Sequence, residues 1–172
     1  MEKIEPKNLK QLLDLAYSAH QEHNTRNDFR QNGKVPFAVH PIWCAMTLLN
    51  DQRIPFAERA IGYQALLLHD VLEDTNLGIP DYVDTQVIDL VKEMTHDSWE
   101  DEQKIEGKSH LVKLLKLCDK IASMYDETLR DDAVYRKEWK ALTEKLLHDV
   151  ENHYGSIRLV TLAKAVLNDT AW

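Results

Sequence analysis

Between residues 109 and 129, Leu111, Leu114, Leu115, Cys118, Ile121 and Met124 recur at helical spacing, and a single acid, Asp119, falls among them. A helix with one apolar face has to bury that face against other elements. The rest of the chain offers helices for the purpose. Leu12, Leu13, Ala16 and Ala19 repeat the spacing over 7–23. Pro41 can open a helix through about Asn50, and Pro55 one that runs through Leu72. Further helices are predicted over 84–95, 131–152 and 155–168, with Gly155 between the last two. The polar stretch 23–34 and the charged stretch 96–108 read as loops, and no segment alternates with period two between turns. The predicted class is all-α. A length of 172 residues, 44% of them hydrophobic, predicts one domain over 1–172.

The formal net charge is −8, with no basic stripe. Duplex binding draws its affinity from phosphate neutralisation, so nucleic acid is not an expected partner. No apolar run is long enough to span a bilayer, and the charged start MEKIEPKNLK lacks a signal core. Cys44 and Cys118 form no CxxC pair and read as small core residues, so the expected compartment is a reducing cytoplasm.

Residues 65–75, ALLLHDVLEDT, end an apolar run on His69 and Asp70 and place Glu73 and Asp74 one turn later. On a continuous helix His69 stacks with Glu73, and Asp70 with Asp74. Three acids beside a histidine repel one another as carboxylates unless a positive charge sits among them, and a divalent cation would supply it. Two other pairs act as controls. His96-Asp97 is followed by the polar run Ser98 to Glu102, and His148-Asp149 has no acids one turn on. Both read as surface or capping features.

A metal site draws ligands from several segments. His40, in VPFAVHPIWCAMTLL, lies among apolar residues and is expected to point inward, with helix capping as the alternative. Asp119, in LLKLCDKIASM, interrupts an apolar face where an unpaired carboxylate is costly; the alternative is a salt bridge to a neighbouring lysine. His20 and His23 share a helix and are weaker candidates. His40, His69, Asp70 and Asp119 together suit a borderline divalent ion such as manganese, iron or zinc, with cobalt or nickel also compatible. Such an ion lowers the pKa of water and neutralises charge on phosphate. Glu73 and Asp74 are placed to accept a proton from that water. A phosphorylated substrate also needs cations, for which Arg30, Lys104 and Lys116 are the candidates.

These residues resemble the HD phosphohydrolase superfamily, and within it the SpoT-like hydrolases of guanosine tetra- and pentaphosphate. That group carries a histidine-proline pair, then HDxxEDT, then an aspartate in KLADR or KLADK. This chain has His40-Pro41, HDVLEDT at 69–75 and KLCDK at 116–120. The similarity covers about residues 12–126. It implies a helical bundle of the HD type, manganese on the four ligands, Glu73 and Asp74 activating water, and Arg30 stacking on guanine. One segment departs. After the ligand aspartate the family reads HN or YN and then an arginine, whereas this chain reads Ala122, Ser123, Met124, Tyr125.

The expected function is therefore metal-dependent cleavage of phosphate or pyrophosphate from a small-molecule nucleotide, with a guanosine polyphosphate 3'-pyrophosphohydrolase as the leading reading. A deoxynucleotide phosphohydrolase is the alternative, and a non-catalytic nucleotide-binding module the second. The sequence leaves the oligomeric state open.

Overall fold

The computed structural model describes residues 6–23, 29–30, 34–124 and 133–169, apart from the side chains of residues 6, 7, 29 and 30. The fold is all-α. Helix α1 covers Pro6–Glu22 and leads to a two-residue antiparallel hairpin, β1 Phe29–Arg30 and β2 Val35–Pro36. The register pairs Phe29 with Pro36 and Arg30 with Val35. Strands this short leave no alternating pattern, so a loop was the expectation here. Then follow α2 Val39–Leu49, α3 Phe56–Leu68, α4 Val71–Asp74, α5 Thr85–Met94, α6 Trp99–Glu102, a 3₁₀ turn Ile105–Gly107, α7 His110–Ser123, α8 Ala133–Tyr154 and α9 Arg158–Leu167. No described helix is long and apolar enough to cross a membrane.

Three further segments differ from expectation. The predicted helix 55–72 stops at Leu68, turns through His69 and Asp70, and resumes as α4. Both turn residues keep right-handed helical backbone angles, which is why the periodicity reads through them. Helix α2 begins two residues before Pro41. The predicted loop 96–108 holds α6 and the 3₁₀ turn. The part of the predicted helix 109–129 beyond Met124 lies outside the described residues.

Helix α3 is central. It packs against α1, α2, α5 and α7, while α8 covers α7 and α9 closes on both. The core is correspondingly aliphatic, with Leu48, Leu66, Leu67, Leu68, Leu114, Leu115, Leu117 and Ile121 fully buried. Ser109 starts α7 by accepting a hydrogen bond from the Val112 N–H (3.2 Å), and Asp84 does the same for α5 from Gln86 (2.8 Å). Gly155, at φ +71°, ends α8 in the left-handed conformation that favours glycine. Buried Asp51 ties α9 down by accepting from the Leu159 N–H at 3.2 Å.

Candidate metal centre

Helix α2 carries His40 in its first turn, the break between α3 and α4 carries His69 and Asp70, and the middle of α7 carries Asp119. The packing of α2, α3 and α7 brings these segments to one place. His40 Nε2 lies 3.3 Å from His69 Nε2 and 3.2 Å from Asp119 Oδ1. His69 Nε2 lies 3.1 Å from Asp70 Oδ1 and 3.7 Å from Asp119 Oδ1. Asp70 Oδ2 reaches to 3.6 Å from His40 Nε2. Donor atoms of His40, His69 and Asp119 all lie within 4.8 Å of one another. Donors bound at about 2.1 Å around one ion stand about 3.0–3.4 Å apart for octahedral or tetrahedral angles, so this spacing fits a first coordination sphere.

Orientation of the rings agrees with that fit. His69 Nδ1 lies 2.8 Å from the Leu66 carbonyl oxygen, which can only accept, so Nδ1 carries a proton and Nε2 is the atom turned towards His40, Asp70 and Asp119. Burial works against a charged His69 imidazole, but Asp70 and Asp119 outweigh it and raise its pKa to about 9. For Asp119, burial would raise the carboxyl; Lys120 and Lys116 beside it hold it well below the usual carboxylate range. The pocket is thus organised to stabilise positive charge among buried imidazoles and carboxylates, which is the chemistry of a divalent-cation site.

Glu73 and Asp74 lie on α4, immediately after the turn at His69 and Asp70. Asp74 is buried, and its N–H donates to the Asp70 carbonyl at 2.8 Å. Glu73 Oε1 accepts from the His96 N–H at 3.0 Å, and burial pushes the Glu73 carboxyl up. The sequence places His96 at the surface, and the structure does not. Its side chain is only 6% exposed, and its backbone is what anchors Glu73.

The candidate cations divide. Lys116 is buried, 2.8 Å from Glu102 and 3.5 Å from Asp119 Oδ2. Lys104 is exposed and pairs with Asp101 at 3.4 Å. Arg30 sits in β1 opposite Val35, and its side chain lies outside the described residues. His20 is 1% exposed, ring to ring with Phe37 at 4.6 Å, and neither of its ring nitrogens has a hydrogen-bond partner among the described residues. His23 is not among the residues that gather around His40. Sequence reasoning did not single out Lys120 and Glu102. Lys120 follows Asp119 directly and lies 3.2 Å from its Oδ2, and it pairs with Glu102 as well. Its adjacency to Asp119 was the available signal.

Among solved structures, the fold is similar to that of a metazoan ortholog of SpoT, described as hydrolysing ppGpp and acting in starvation responses. The TM-score is 0.68, with 19% identity, over 96% of each chain. No family model matches this chain, and no curated protein sequence matches it.

Proposed function

We propose that this chain is a metal-dependent phosphohydrolase that removes pyrophosphate or phosphate from a nucleotide, with a guanosine polyphosphate as the leading substrate. The observation that carries this reading is the convergence of His40, His69 and Asp119 from three segments, with donor atoms all within 4.8 Å of one another and Asp70 beside both histidines. Similarity of fold to a SpoT ortholog that hydrolyses ppGpp supports the substrate class. Manganese is the proposed ion. A divalent ion held there supplies Lewis-acid chemistry, lowering the pKa of water and neutralising charge on phosphate. Glu73 is the proposed general base. Burial pushes its carboxyl up from the usual carboxylate range, and the His96 N–H fixes its direction. Asp74 is its proposed partner, on the same turn of α4. Arg30, Lys104 and Lys116 are the proposed substrate contacts, and 1–172 the proposed single domain.

A deoxynucleotide substrate is the second reading. It is favoured by the segment Ala122, Ser123, Met124, Tyr125, which stands where the guanosine polyphosphate hydrolases carry nucleotide-binding asparagine and arginine. The test is a manganese-supplemented screen of nucleotides on purified protein, with metal analysis of the same preparation. Pyrophosphate released from guanosine 3',5'-bispyrophosphate supports the leading reading. Turnover of deoxynucleotides alone transfers the assignment to the second. Bound metal without turnover of any nucleotide identifies a binding module.

A further inference from the structure

Asp119 divides its two oxygens between different partners. Oδ1 faces the Nε2 atoms of His40 and His69. Oδ2 faces two ammonium groups, Lys120 Nζ at 3.2 Å and Lys116 Nζ at 3.5 Å. These lysines are 2% and 3% exposed. One carboxylate that is also a candidate ligand cannot balance two buried cations, and a buried charge without a partner is costly. The second counter-charge comes from α6. Glu102 Oε1 accepts from Lys116 Nζ at 2.8 Å and also from Lys120 Nζ.

The segment that delivers Glu102 is fixed from outside. The Trp99 ring stacks on Trp139 of α8, with centroids 5.4 Å apart and planes 6° from parallel. Trp99 Nε1 donates to Glu138 at 2.8 Å. Lys120 Nζ lies 3.9 Å over the ring of the same Trp139, whose own Nε1 donates to the Lys120 carbonyl at 3.1 Å. Trp139 therefore sets the position of Lys120 and of the helix that carries its counter-ion.

We infer that Glu102 is a positioning residue, which holds Lys116 and Lys120 on one oxygen of Asp119 so that the other oxygen alone is presented to the metal. The inference deepens the metal reading of this centre and rests on it. Without the Glu102 charge, both ammonium groups are left to share Asp119 among the described residues, with Glu73 near Lys116 alone. They then compete with the divalent ion for Asp119 and repel it. Partners that orient ligating groups from outside the coordination sphere commonly control metal affinity in this way.

The test is titration of the full chain with manganese, reading free ion by electron paramagnetic resonance, in wild type, Glu102→Gln and the double variant Glu102→Gln/Lys120→Met. Circular dichroism reports the fold. Glu102→Gln is expected to bind manganese about 10–100-fold more weakly. The double variant, in which the lost negative charge is matched by a lost positive one, is expected to recover most of that affinity. Unchanged affinity in Glu102→Gln overturns the inference. So does a double variant as weak as the single one, because Glu102 would then act on the fold and not through the lysine. If Glu102→Gln does not fold, the double variant decides alone: affinity within about threefold of wild type supports the inference, and a loss of about tenfold or more overturns it. Wild-type protein that binds no manganese overturns the metal reading itself, which separates the two failures.

Discussion

His40 Nε2 lies 3.2 Å from Asp119 Oδ1 across 79 positions of sequence. Neither residue explains itself alone. His40 is buried early in α2, and Asp119 is buried in the apolar face of α7. Together with His69 and Asp70 they make one polar point inside an aliphatic core, where each group satisfies the others only if a proton or a metal ion is shared among them.

Replacing Asp119→Asn is expected to remove most bound metal and leave the helical fold intact. The amide preserves the volume, so no cavity opens, and Glu102 still pairs with both lysines. The neutral amide is the weaker ligand. Metal content by mass spectrometry beside far-ultraviolet circular dichroism checks both halves. Undiminished metal would exclude Asp119 from the centre.

Glu73→Gln and Asp74→Asn are expected to keep the metal and lose hydrolysis, by about 10²–10⁴-fold for a displaced general base. Glu73 Oε1 already accepts from the His96 N–H, and a glutamine carbonyl can take that bond unchanged. The substitution therefore isolates the proton-accepting role. Wild-type turnover in both variants, on any nucleotide the protein cleaves, would refute the assignment.

Much of the fold is legible because the core is helical and aliphatic. Leu111, Leu114, Leu115, Cys118 and Ile121 announce α7 by spacing alone, and Gly155 marks the corner between α8 and α9. The turn at His69-Asp70 is hidden because its backbone stays helical. In the site, His40 and Asp119 stand out as polar groups inside apolar runs. The salt-bridge alternative for Asp119 is met at one oxygen, which pairs with Lys116 and Lys120, while the other oxygen faces His40 and His69. Glu102 could not be picked out. It ends a run of three acids, and no local pattern tells which of Glu100, Asp101 and Glu102 turns inward; that is set by Trp99 docking on Trp139, a contact between segments far apart in sequence.

Gly62→Ala is expected to lower the melting temperature despite the better helix propensity of alanine. A Cβ at this position would meet Leu48 Cδ2 at 2.8 Å and Leu115 Cδ2 at 3.0 Å, and both leucines are fully buried. The glycine is what lets α3 approach α2 and α7 closely. Overpacking costs about 1–3 kcal/mol, against a gain of about 1 kcal/mol from propensity. Thermal unfolding measures the balance, and a variant more stable than wild type would show that the leucines can move aside.

Arg30 and Lys104 should part company in kinetics. Lys104 is exposed and pairs with Asp101, so Lys104→Ala is expected to leave stability within about 0.5 kcal/mol of wild type. Any kinetic effect it has then reports on substrate directly. Arg30 sits on a hairpin whose second strand runs almost into α2, so its backbone is tied through Val35 and Pro36 to the segment that carries His40. A guanidinium anchored there can stack on a base or fork a phosphate. If it holds the base, Arg30→Ala raises KM more than it lowers kcat; if it holds the reacting phosphate, kcat falls instead. Steady-state kinetics on the substrate found in the nucleotide screen distinguishes these outcomes. Unchanged constants on that substrate would remove Arg30 from the site.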